Sequence, residues 1–256
     1  MTRFDFTARR LFVRAPLSAG APIDLDRGQA NYLVNVLRLK GGDAILVFNG
    51  RDGEWTARLA GEGRKRWRLE TISVVRPQPP AADLHYLFAP LKQARLDYMV
   101  QKAVEMGAGR LSPVLTRHGQ VTRVNRARMA ANAIEAAEQC GILSIPVIDE
   151  PVRLGQLVDG WAEHQPGRRI IFCDEAADLA DPLAILAALR PSALAVLVGP
   201  EGGFSAEERE SLGSRPFVTA LPLGPRIVRA DTAAVAALAL VQAALGDWQA
   251  GAPTPH

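Results

Sequence analysis

Cysteine is scarce in this 256-residue chain. Cys140 and Cys173 are too few for a disulfide framework and too far apart for a metal-ligand pair, which fits a reducing compartment. The four histidines, His85, His118, His164 and His256, form no HxxxH or His/Cys cluster, so no metal is expected. Long apolar runs are missing too. The longest nearly uncharged stretch, Thr232 to Gly246, is too short to span a bilayer. Residues Met1 to Arg14 carry Arg3, Arg9, Arg10 and Arg14 without the apolar centre of a secretory signal. A cytoplasmic protein with no membrane partner is expected. Neither GxGxxG nor the Walker pattern occurs, which removes support for dinucleotide and nucleoside-triphosphate sites.

What is present is uneven charge. Residues 1–80 hold 14 Lys/Arg against 8 Asp/Glu, residues 81–130 hold 8 against 3, and residues 131–256 hold 8 against 16. A polyanion would be drawn to the basic first half, because Lys and Arg gain affinity by displacing counterions condensed on phosphates.

Prolines 77, 79 and 80 mark a spacer, since clustered prolines can join neither a sheet ladder nor a helix interior. The domain break is placed there: a first domain over 1–76, a linker over 77–81 and a second domain over 82–250. Before the spacer, short β-type runs (Leu11–Val13, Ile23–Leu25, Ala44–Phe48, Glu54–Leu59, Trp67–Val75) alternate with turn signals. One helix, Gln29–Arg38, accompanies them, and the economical reading is a small β-barrel. After the spacer, strands (Leu84–Leu91, Leu111–Leu115, Arg169–Cys173, Ala193–Val198, Phe217–Leu221) alternate with helices (Arg95–Met106, Arg126–Gln139, Pro182–Leu189, Ala206–Leu212, Thr232–Leu245). That alternation implies an α/β domain with a mostly parallel sheet.

Two segments carry chemistry. In Ala195 to Glu208, AVLVGPEGGFSAEE, a buried strand runs into a glycine-rich turn, and Ser205 with Glu208 forms a capping box for the next helix. In Ala220 to Ala234, ALPLGPRIVRADTAA, a strand ends in a second Pro/Gly turn where Arg226 and Arg229 flank an apolar pair. Asp231 or Thr232 can cap the helix that follows. Ligands of open α/β sheets bind beyond the carboxyl ends of strands, and two guanidiniums there suit a phosphate or a developing oxyanion.

Taken together, VGPEGGFSAEE and LPLGPRIVRADTAA resemble the cofactor-binding and knot-forming motifs of SPOUT methyltransferases. Within them, they resemble the RsmE family of 16S ribosomal RNA (uracil-N3)-methyltransferases. Arg10-Leu11-Phe12-Val13, Val36 to Asp43, Lys92 to Gly107 and Ala136 to Cys140 fit that family in the same order, so the resemblance covers nearly the whole chain. Thr116-Arg117-His118-Gly119 and Asp231 depart from its usual pattern.

The resemblance implies a PUA-like barrel followed by a SPOUT α/β domain with a C-terminal trefoil knot, a homodimer, and a 16S ribosomal RNA or small-subunit partner. It implies S-adenosyl-L-methionine held by Phe172, Val198, Gly199, Pro200, Glu201, Gly202, Gly203, Leu221, Leu223, Gly224, Arg226, Ile227 and Val228. Arg10, Arg38, Lys92, Arg95 and Lys102 would contact RNA. Arg229 would stabilise charge on the base, and Asp231, or a water it orders, would take the proton. A ribosome-binding assembly factor without activity would explain the basic half but not the two strand-end turns. A nicotinamide-dependent dehydrogenase would require the glycine fingerprint that is missing.

Overall fold

The computed structural model describes residues 8–61, 66–177, 180–190 and 193–249. The chain forms two units. Of the described residues, one unit takes in those up to Pro80 together with Ala137–Ile145, and the other takes in Ala81–Ala136 and those from Pro146 to 249. Placing Ala137–Ile145 with the first unit has no counterpart in the sequence reading, which runs the second domain unbroken from residue 82.

The first unit is built on a five-stranded sheet of β1 (Arg10–Phe12), β2 (Pro22–Asp24), β3 (Ala44–Phe48), β4 (Glu54–Ala60) and β5 (Arg68–Arg76). Its order is β1-β3-β4-β5-β2, parallel at β1–β3 and antiparallel elsewhere. Inward positions supply one core, including Leu11, Val13, Ile23, Leu33, Val47, Leu59 and Leu69. The single expected helix is two pieces. An α-turn, α1 (Arg27–Asn31), starts on a capping box between Asp26 and Gln29, and a π-helical turn over Tyr32–Val36 follows it. The helix stops at Arg38, whose φ of 58° is left-handed, an uncommon conformation for a residue with a Cβ.

Glu54 is the polar centre of this unit. It is 1% exposed and accepts from Arg10 Nε at 2.9 Å and Arg76 Nε at 2.7 Å. Arg76 Nη2 also donates to the Gly141 carbonyl at 2.9 Å, and Glu138 Oε1 accepts from Phe12 N–H at 2.7 Å. These bonds tie Ala137–Ile145 to the strands. They also correct one expectation: the Arg10 side chain is 2% exposed against Glu54 and is a structural ion-pair partner, not a surface contact for phosphate. Glu54→Ala deprives two guanidiniums of their shared buried carboxylate, and it should destabilise the first unit by about 3–5 kcal/mol. Urea unfolding followed by the fluorescence of Trp55 and Trp67 measures it.

The second unit is a parallel sheet with helices. Its elements are β6 (Leu84–Phe88), α2 (Gln93–Glu105), β7 (Ala108–Leu115), α3 (Arg126–Cys140), β8 (Val147–Ile148), β9 (Val152–Arg153), α4 (Leu154–His164), β10 (Arg168–Cys173), α5 (Pro182–Ala187), β11 (Ala193–Val198), α6 (Ala206–Gly213), β12 (Val218–Leu221) and α7 (Ala230–Leu245). The last four residues of α3 belong to the first unit. Strand order is β12-β10-β11-β6-β7-β8, with β9 on β7. Buried strands such as ALAVLV in β11 are apolar on both faces, as a sheet covered on both sides requires. Helix α4 is absent from the sequence reading. Gly155 and Gly160 weaken it by about 1 kcal/mol each, and the buried stripe Leu154, Val158, Trp161 holds it in place. No helix among the described residues is long and apolar enough to cross a membrane.

One buried base gives this unit a pH dependence. His85 on β6 is 8% exposed, and burial, then Arg168 and Arg110, lowers its pKa from 6.5 to about 4. Between those values the unfolded chain binds a proton that the folded chain refuses. Stability from this source is therefore complete above pH 6.5 and is lost as pH falls toward 4, with a slope approaching about 1.4 kcal/mol per pH unit. Denaturant midpoints at pH 7 and pH 5 should differ less in His85→Gln than in the parent protein.

Candidate functional site

Strands β10, β11 and β12 lie side by side and end on the same edge, so the three segments that follow them meet. They enclose a cavity of about 670 Å³, a size suited to a ligand of several tens of atoms. Cys173 to Ala177 form one wall, Val198 to Gly203 a second and Pro222 to Arg229 a third, with Ala230 and Ala233 of α7 closing it.

The second wall is shaped by its glycines. The Gly203 N–H donates to the Pro200 carbonyl at 3.0 Å, and φ at Gly203 is +66°, a conformation costly for residues with a Cβ. A Cβ on Gly203 would also lie on the carboxylate of Glu175. At Gly199 a Cβ would come within 2.5 Å of the Phe204 ring. Phe204 is 3% exposed and packs edge-on against Phe172 at 4.9 Å, so the turn closes directly over the core. Beyond it the capping box is present: Ser205 Oγ accepts from Glu208 N–H at 3.2 Å, and Glu208 Oε2 accepts from Ser205 N–H at 2.9 Å.

Charge is arranged around this cavity. Arg209 of α6 reaches Asp174 at 3.1 Å and Glu175 at 2.5 Å, linking the first wall to α6. Glu201 pairs with Arg95 of α2 at 3.0 Å. Burial pushes the Cys173 thiol up to about 12, so it stays protonated and is no nucleophile. Tyr86, fully buried, is likewise kept protonated by burial and then by Cys173 and Asp231, and its hydroxyl donates to Met99 Sδ at 3.0 Å. Arg226, Ile227 and Arg229 are exposed on the third wall, Ile227 at 97%.

Of the residues expected at a cofactor, Val198, Gly199, Pro200, Glu201, Gly202, Gly203, Leu223, Gly224, Arg226, Ile227 and Val228 line the cavity, and Arg229 lines it beside them. Phe172 and Leu221 do not. They are 2% and 0% exposed and face the core, and the neighbours Cys173 and Pro222 take the lining positions. Asp231 lies outside the lining. Nor does it cap α7: Arg229 is the N-cap residue, and Asp231 sits in the first turn, where its charge favours the helix dipole. Asp174 and Glu175 were missed, although their position just past a buried strand was a signal. Arg38 and Lys92 are exposed. Lys102 is held by Glu105 at 2.7 Å and lies over the Tyr98 ring. Among the described residues no group of three or more His, Cys, Asp or Glu could hold a metal.

Comparison with known proteins identifies the family. Residues 77–242 match the model of the RNA methyltransferase domain, and residues 25–71 match that of the RNA methyltransferase PUA domain, which defines the class. The chain is 30% identical over 244 residues to ribosomal RNA small subunit methyltransferase E of Synechocystis, covering 93% of this chain and 78% of that one. The Rickettsia conorii protein of the same name is 29% identical, covering 91% and 94%. The chain belongs to the ribosomal RNA small subunit methyltransferase E family. The Neisseria gonorrhoeae member, solved with S-adenosyl methionine bound, superposes with a TM-score of 0.81 at 27% identity, covering 94% of this chain and all of that one. A Legionella pneumophila methyltransferase in complex with the same cofactor gives 0.79 at 28% identity, covering 93% and 98%.

Proposed function

We propose that the chain transfers the methyl group of S-adenosylmethionine to N3 of a uridine in 16S ribosomal RNA, in the decoding region of the small subunit. The observation that carries this reading is the cavity made by the three strand-end segments, with Arg229 exposed on its third wall. Its walls suit the cofactor. Gly199, Gly202 and Gly203 add no side chains to the second wall, Leu223, Ile227 and Val228 offer apolar surface to a purine, and Asp174, Glu175 and Glu201, their charge shared with Arg209 and Arg95, oppose a cation. Bound there, the cofactor supplies an electrophilic sulfonium methyl.

The protein's own task is to hold the base and manage its proton. Uracil N3 keeps its proton at neutral pH, and once that proton leaves, charge spreads over the two ring carbonyls. Arg229 is exposed on the cavity wall and stabilises that charge. Asp231, two residues further on and off the wall, acts on the proton through a water that it orders. Lys92 steers RNA phosphates toward the cavity, Arg95 does so once RNA displaces Glu201, and the first unit docks RNA with Arg38 on a phosphate. Lys102 contributes only if RNA displaces Glu105. The segments enclosing the cavity form a trefoil knot, and the protein works as a homodimer in the cytoplasm.

Calorimetric titration tests the site. S-adenosylmethionine should bind and NAD should not. Binding of NAD alone would support a dehydrogenase, and binding of neither would leave an assembly factor.

A further inference from the structure

We propose that His118 is a positioning residue for the methyl-donor cavity, fixing the turn Pro200–Gly203 through its contact with Gly202. This inference rests on reading the cavity as the site of S-adenosylmethionine.

Thr116 to Gly119 follow β7, and their turn is closed by Gly119 N–H donating to the Thr116 carbonyl at 3.2 Å. In the sheet, β7 is separated from β11 by β6, so this turn reaches the β11 turn across the end of an intervening strand. It arrives with two fixings. The Arg117 N–H donates to Glu208 Oε1 at 2.8 Å, and the other oxygen of Glu208 accepts from the Ser205 N–H that opens α6. His118 Nδ1 then lies 3.0 Å from the Gly202 carbonyl oxygen. A carbonyl only accepts, so Nδ1 carries the proton and donates.

Gly202 is where the two sides meet: it lines the cavity and takes the hydrogen bond from His118. A Cβ on Gly202 would stand 3.2 Å from the Cβ of His118, so the missing side chain lets the imidazole approach. The Gly202 carbonyl and the Gly203 N–H belong to one planar peptide, so this peptide is held at both ends: its N–H closes the turn on the Pro200 carbonyl, and its carbonyl accepts from His118. A peptide that rotates moves the polar groups presented to the donor, and His118 opposes that rotation. Glu207 senses the same neighbourhood. Its carboxyl is held below the usual range by Ser205 and its own backbone, and by the charges of Arg117 and His118.

The test compares His118→Ala, His118→Leu and His118→Asn in the full-length protein, by calorimetric titration with S-adenosylmethionine and by steady-state methylation. Asparagine keeps a side-chain N–H donor at a similar reach, and leucine keeps bulk without a donor. Alanine and leucine should each weaken donor affinity by about five- to tenfold, the worth of one hydrogen bond. The KM for S-adenosylmethionine should rise to match, while kcat at saturating donor stays near that of the parent. Asparagine should restore affinity to within about twofold. His118 is exposed, so thermal midpoints should agree across the set. Unchanged affinity in the alanine variant overturns the proposal, and so does a loss that asparagine fails to restore. A parent protein that does not bind S-adenosylmethionine at all contradicts the reading of the cavity instead.

Discussion

Replacing Arg229 with alanine should lower the single-turnover methylation rate by about 100-fold or more, the loss seen when one donor to a developing oxyanion is removed. Affinity for S-adenosylmethionine should change little, because Arg229 stands at one end of the third wall and the other two walls are untouched. Arg229 is exposed at the end of the third wall. Lysine should recover only part of the rate, since a compact ammonium cannot reproduce a planar fork of donors. Rapid-quench methyl transfer at saturating RNA separates the two roles. A variant that needs more RNA but reaches the parental rate would make Arg229 a phosphate anchor.

The second large effect is expected at Gly199. Valine there should abolish measurable donor binding and lower stability by about 1–3 kcal/mol, the usual cost of overpacking. The reason differs from the one glycine-rich turns first suggest. An added side chain does not simply fill the ligand's space: its Cβ meets the Phe204 ring at 2.5 Å, and Phe204 is buried against Phe172. The ring or the turn must move, and either change spoils the second wall. Pairing the change with Phe204→Leu should return part of the stability, because the smaller side chain vacates the collision. Thermal unfolding of the single and double variants, alongside calorimetry, checks both claims. A Gly199→Val protein that binds the donor as the parent does would mean that the turn is more pliable than the packing implies.

Much of the second unit was legible because its signals are local. An apolar run followed by a Gly/Pro turn and a capping box marks a strand, a loop and a helix, and Ala193–Val198 with Ser205 and Glu208 read that way without a structure. The residues of the cavity lining came from the resemblance to a known family and not from local signals, and they differ from the observed lining where one residue decides between core and cavity. Phe172 and Cys173 are adjacent on β10, and side chains alternate faces along a strand, so only the register says which one meets a ligand. What stayed hidden depends on distant partners. Arg10 reads as a free cation until Glu54 and Arg76 are seen beside it, 44 and 66 positions along the chain. Helix α4 was obscured by two glycines that its buried stripe outweighs. Nothing local in Ala137–Ile145 announces that it packs with the first unit, since its ties to Phe12 and Arg76 are made across the chain.

The most direct measurement is the identity of the methylated nucleoside. Purified protein, isotope-labelled S-adenosylmethionine and small ribosomal subunits from a strain lacking this protein would be combined, and the 16S ribosomal RNA digested and analysed by mass spectrometry. The account predicts one labelled nucleoside, 3-methyluridine, in a fragment from the decoding region, and none with Arg229→Ala on the time scale of the parent reaction. Label on another base, on ribose, or on no RNA at all would contradict it.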